Sequence, residues 1–94
     1  MHDSAKILEI GANGAVVQLP ERRFPGIVIQ GDSLSILVSD FRELKELIAK
    51  GEQSETEACL ASIEDHLGER LAFYESVIAK HGIELPYVRH KKKG

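Results

Sequence analysis

Leu60, Ile63, Leu67, Leu71, Tyr74, Ile78 and His81 follow one another at spacings of 3, 4, 4, 3, 4 and 3. That near-heptad stripe predicts one helix of about 28 residues, roughly 42 Å long, within a chain of 94 residues. Ser54-Glu55-Thr56-Glu57 reads as a capping box at its start, with Ser54 bonding the amide three residues on and Glu57 reaching back. Gly82 is placed to end it, so the helix is expected over 54–81. A chain this short builds a single core and buries only roughly 60–65% of its extended surface. Phe73 and Val77 widen the apolar face still further. The long helix is therefore expected to pack on a second helix as a hairpin and to run past it toward another subunit. The chain is therefore expected to be a homodimer, with Leu60, Ile63, Leu67, Leu71, Tyr74 and Ile78 as the dimer stripe.

The second constraint is residues 24–37, where a strand gives way to a helix. Ile27-Val28-Ile29 is a run of β-branched residues suited to a central strand covered on both faces, over about 26–30. Gly31 offers the positive φ of a sharp exit, and Asp32 or Ser33 an oxygen for the orphan amides of the next turn. Leu34, Leu37, Val38, Phe41, Leu44 and Ile48 then recur at helical spacing up to Lys50-Gly51, which predicts a helix over 33–50 that covers the sheet. Upstream, weakly alternating residues 6–10 and the apolar run 15–19 flank Gly11-Ala12-Asn13-Gly14, whose Asn-Gly is a hairpin signal. Downstream, residues 83–88 have extended character, and Pro86 marks them as an edge strand or a docked tail. The expected fold class is α+β: a three-stranded antiparallel meander covered by a helical hairpin with a long second helix. It forms one domain over 1–88, followed by a basic tail over 89–94.

Composition narrows the function classes. A formal net charge of −3 makes a poor general binder of polyphosphate, although Arg89-His90-Lys91-Lys92-Lys93 is locally basic. One cysteine, Cys59, leaves no internal disulfide and no cysteine-based zinc cluster, and its small neighbours favour packing over reactivity. No signal peptide and no apolar run near twenty residues are present, so the cytoplasm is the expected compartment and no membrane role is expected.

Four constellations invite a chemical reading. Gly31-Asp32-Ser33-Leu34 resembles the nucleophile block of the GDSL esterases, which implies Ser33 as nucleophile. The histidine spacing and oxyanion blocks of that family are missing, and the cap-and-turn role of Gly31, Asp32 and Ser33 is the stronger reading; the small esterase stands as an alternative. Glu64, Asp65, His66 and Glu69 hold a possible His-Glu pair three residues apart, which falls short of the three or four convergent ligands of a stable metal site. His81, at a helix C-terminus, suits a structural cation. Nucleic-acid association through the tail and Arg22-Arg23 is a second alternative, without the aromatic platform or recognition helix that gives it a defined mode.

Two resemblances concern the same stretches. Leu19-Pro20, Arg22-Arg23-Phe24-Pro25-Gly26, Ile29-Gln30-Gly31-Asp32-Ser33-Leu34-Ser35 and Gly82-Ile83-Glu84-Leu85-Pro86-Tyr87-Val88-Arg89 resemble a family of small uncharacterised bacterial proteins, which implies a bacterial cytoplasmic origin and no assigned activity. Phe24-Pro25-Gly26, Gln30-Gly31-Asp32-Ser33-Leu34 and the helix after them are similar to the HicB-type antitoxins over roughly residues 6–50. That similarity implies a β-β-β-α core with a Pro-Gly turn. The expected function is a non-enzymatic protein-binding module, antitoxin-like or immunity-like, with no catalytic residue, metal or cofactor. Arg22, Arg23, Phe24, Tyr87 and Arg89 are its expected partner anchors, because arginine and aromatic residues dominate contact energy.

Overall fold

The computed structural model describes residues 4–12 and 14–88. Three strands, β1 (Lys6–Gly11), β2 (Gly14–Gln18) and β3 (Gly26–Ile29), are followed by two helices, α1 (Gly31–Lys50) and α2 (Gln53–Lys80). The strands form one antiparallel sheet in the order β1-β2-β3. The helices pack on each other as an antiparallel hairpin, so the fold is α+β with a long second helix, as the periodicity predicts. The molecule measures 52 × 33 × 21 Å with a radius of gyration of 16.4 Å. A compact chain of this length has about 12 Å, so the sheet and the hairpin lie end to end.

The sheet is covered by α2 and not by α1. Val16, Tyr74, Val77 and Ile78 form the buried core there, with Leu8, Ile27, Phe73, Ile83 and Leu85 packed around them. A single residue, Gln30, separates β3 from α1. That is too little chain to fold a helix back across the strands it follows, so α1 runs on beyond the sheet. The 28 residues of α2 then serve both ends: the first half meets α1, with Ile63 and Leu37 buried, and the second half covers the sheet. The excess length of α2 is thus used within the chain, and Ile63, Tyr74 and Ile78 of the expected dimer stripe are buried in it.

The strand order also corrects the expectation for β3. Two short connections put β2 in the middle and leave β3 at an edge, with Val28 on the uncovered face. In β1 the pairing shifts between Ile7 and Glu9, a bulge that turns Leu8 and Glu9 toward α2 and leaves Ile7 and Ile10 outside. This explains the weak alternation of that strand. Gly11 pairs with Gly14, so Gly14 of the expected Asn-Gly turn is itself a strand residue; Asn13 lies outside the described residues.

Both helices stop where their glycines predict. Gly51 (φ 71°) and Gly82 (φ 65°) take the left-handed conformation. Gly51 donates to the Ile48 carbonyl and Glu52 to that of Leu47, while Gly82 donates to Ala79 and Ile83 to Ile78. The helix starts differ from expectation. Gln30 is the residue before α1 and makes no side-chain cap, Gly31 has no positive φ, and Ser33 lies inside the first turn; Asp32 does supply the expected oxygen, its Oδ1 accepting the Ser33 amide at 2.8 Å, but from within the helix. In α2 the capping box of Ser54 and Glu57 is absent. Closing α1 uses the amides of Gly51 and Glu52, so α2 begins at once from Glu52, and Glu57 instead accepts from Gln53 Nε2 at 3.3 Å.

Residues 83–88 form no strand, but Ile83 and Leu85 dock on the core. The tail over 89–94, Arg89 included, lies outside the described residues. A further tie is Tyr74, whose hydroxyl donates to the buried Pro25 carbonyl at 2.6 Å. Burial pushes the Tyr74 phenol up, which keeps it a donor. Tyr74→Phe strands that carbonyl and is expected to cost about 1–2 kcal/mol in a urea titration, with far-UV circular dichroism unchanged. A loss below about 0.5 kcal/mol would show that the carbonyl is satisfied in another way.

Candidate interaction surface

Helix α1 carries two apolar stripes side by side. Leu37, Leu44 and Leu47 lie on the side turned to α2, and Leu37 is buried. Leu34, Val38, Phe41 and Ile48 form the neighbouring stripe and are between 40% and 60% exposed. In α2 the same division recurs: Ile63 is buried, whereas Leu60, Leu67 and Leu71 are 52%, 42% and 49% exposed. At about 100° per residue, each exposed stripe is displaced from its buried neighbour in the same rotational sense, by roughly 60–90°. Because the helices are antiparallel, that displacement brings both exposed stripes to one side of the hairpin. The result is an uncovered apolar face with Phe41 as its one aromatic residue.

Toward the sheet this face runs into a groove of about 360 Å³. Pro25, Gly26, Ile27 and Ile29 form one wall, and Leu67, Leu71, Tyr74 and Tyr87 the other. Leu67 and Leu71 belong to the hairpin face and to the groove alike. Tyr87 is fixed by a 3.0 Å hydrogen bond from its hydroxyl to Glu75 Oε2. Of the other expected anchors, Arg23 stacks over the Phe24 ring at 5.1 Å, and Arg22 donates its amide to the Leu19 carbonyl in an exposed turn. The groove therefore joins Tyr87 to Pro25, the residue after Phe24, while Arg22 and Arg23 stay outside its walls.

One contributor is not evident from the sequence patterns. Arg70 lines this groove and two smaller hollows, one beside Gly11 and Phe73 and one beside Ser33 and His66. It stands where α1, α2 and the sheet meet. Its Nη1 donates to the His66 carbonyl at 3.0 Å, and its Nε is buried without a partner among the described residues. The signal is compositional: Arg70 is the only lysine or arginine between Lys50 and Lys80. Its surroundings are acidic, since residues 31–70 hold ten carboxylates against four basic residues, and the rest of the chain holds five against eight.

The chemical constellations gain little. Ser33 lines a hollow of about 200 Å³ with His66 and Glu69, but no hydrogen bond joins the three side chains. No group of three His, Cys, Asp or Glu side chains converges as a metal set among the described residues. Cys59 Sγ donates to the Asp40 carbonyl at 3.5 Å. Its desolvation beside α1 pushes the thiol up, and the carboxylates of Glu43 and Asp40 add to the effect, so it is a poor nucleophile at neutral pH. No helix is long and apolar enough to cross a membrane among the described residues.

Compared with known proteins, the chain matches the model of a family of unknown function, DUF6959, over residues 1–87. It belongs to that family. No curated protein and no solved structure gives a significant match.

Proposed function

Starting from a family without an assigned activity, we propose that this chain is a non-enzymatic protein-binding module that works as a homodimer through the apolar face of its helical hairpin. The observation that carries the reading is the imbalance of burial. Among the described residues six hydrophobic side chains are buried, whereas fourteen large ones are exposed. Single exposed apolar residues are ordinary, but a contiguous patch beyond a few hundred Å² marks an interaction site. Two helices over the roughly 30 Å length of α1, each about 10 Å wide, present about 600 Å² per copy. Two such faces together bury about 1,200 Å², the lower bound of a stable specific interface. The HicB-like pattern of residues 6–50 favours a protein as any further partner, held by the dimer as an antitoxin or immunity protein holds its target in the bacterial cytoplasm.

Light scattering tests the reading. The wild-type chain of 10.4 kDa is expected at twice that mass at tens of micromolar, and Phe41→Glu at the single-chain mass with its helical content intact. Phe41 is half exposed, so the substitution removes an interface and not a core. A wild-type mass of one chain that Phe41→Glu leaves unchanged would overturn the homodimer.

A further inference from the structure

Taking the homodimer as its premise, we infer that the two copies also join through their β3 edges, making one six-stranded antiparallel sheet with both helical hairpins on the same side. The two edges of the sheet are built differently. β1 carries Lys6, Glu9 and a bulge, all devices that discourage strand pairing. β3 carries none of them: Gly26-Ile27-Val28-Ile29 has no charge and no bulge, and its outer backbone groups have no partner among the described residues. An edge of this kind is a template for another strand.

Three observations make a second copy the strand that fits. First, the edge and the apolar face are continuous, because Leu67 and Leu71 line the groove above β3 as well as the hairpin surface. One two-fold axis beside β3 covers both, whereas a lone peptide covers only the groove. Second, the register is self-complementary. A two-fold centred on Val28 sets Ile27 opposite the partner's Ile29 and keeps the inward faces of both sheets together, since opposed residues of an antiparallel pair share a face. Third, the same register brings the basic turn of Arg22 and Arg23, which precedes β3, beside the partner's Asp32, which follows it. Opposite charges then flank both ends of the short pairing. The pairing also accounts for the β-branched run Ile27-Val28-Ile29, which has the composition of a strand in the middle of a sheet and becomes one in the assembly.

The test is a site-specific cross-link in the full chain with Cys59→Ser as background. At the two-fold axis a residue faces its own copy with Cβ atoms about 4.5–5.5 Å apart, close enough for a disulfide after small adjustment. Val28→Cys, treated with copper and dissolved oxygen, is expected to form covalent dimer at least ten-fold faster than Ile10→Cys, which is exposed on the strand at the opposite edge. In parallel, Val28→Lys is expected to halve the mass seen by light scattering while Ile10→Lys leaves it unchanged. If the mass is that of a dimer but Val28→Cys cross-links no faster than Ile10→Cys and Val28→Lys stays dimeric, the β3 pairing is overturned and the homodimer stands. A wild-type monomer removes the homodimer and the pairing with it.

Discussion

Ile78→Ala is expected to lower the unfolding free energy by about 3–4 kcal/mol, the upper part of the range for deleting a buried aliphatic side chain. Ile78 is 1% exposed in the cluster with Val16, Tyr74 and Val77 that holds the sheet on α2. Its carbonyl also accepts the Ile83 amide in the closure of α2, and Ile83 packs against the same cluster. A cavity here therefore loosens the helix end, the docked segment after it and the sheet together, with little chance of collapse to fill the space. A domain of this size has about 5–14 kcal/mol of stability, so one residue in a core of six buried side chains carries a large share. Urea titration reads the effect as a lower midpoint at unchanged slope. A loss under 1 kcal/mol would mean that the sheet is held by something other than this cluster.

How much of this architecture the sequence discloses differs from element to element, for physical reasons. Gly51 and Gly82 are legible as helix ends because the left-handed conformation is open to glycine and closed to nearly everything else. The capping box of Ser54 was an equally plausible pattern, yet the backbone closure of α1 consumes the turn and starts α2 before Ser54 can cap it. Periodicity shows that a face is apolar but not what covers it. Leu34, Leu37, Val38, Phe41, Leu44 and Ile48 read as one packed face, and the structure divides them between a buried side and an open one. The same limit applies to the stripe of α2, where Ile63, Tyr74 and Ile78 are buried in the chain and Leu60, Leu67 and Leu71 are exposed. Which helix covers the sheet depends on the one-residue connection at Gln30, a matter of chain reach and not of composition.

The candidate surface was legible in its ingredients and not in its assembly. Tyr87 stood out as an exposed aromatic residue, but nothing in the sequence places it across a groove from Pro25 and Ile29. Arg70 is inconspicuous as one residue of a charged helix, and its importance comes from standing at the joint of three elements. An arginine there keeps a basic group inside the acidic half of the chain, where it donates across its own helix turn to His66. The uncharged β3 edge was visible as three β-branched residues, which fit a strand with neighbours on both sides. Within one chain it has a neighbour on one side only. That mismatch is informative because the other edge strand, β1, although it also exposes Ile7 and Ile10, carries Lys6, Glu9 and a bulge that β3 lacks.

Gly14→Ala is expected to cost about 1–3 kcal/mol, close to a core truncation, although it adds only a methyl group. Gly14 pairs with Ile29 and with Gly11, and a Cβ at this position would fall on the Val28 carbonyl oxygen inside van der Waals contact. The obstacle is backbone, so no side-chain rotation relieves it, and β2 and β3 have to separate at the point where their ladder begins. The hairpin end is tight on its other strand as well, since a Cβ on Gly11 would press against the Phe73 ring at 2.8 Å. Gly68→Ala provides the opposite sign: Gly68 lies inside α2 with open space around it, and alanine there is expected to add about 0.5–1 kcal/mol by its better helix propensity. The two variants change the same atom count, so a urea titration that moves their midpoints in opposite directions separates steric conflict in the sheet from any general effect of the methyl. If Gly14→Ala is neutral, β2 and β3 have room to part, and the close approach at Val28 is not what sets the register of the sheet.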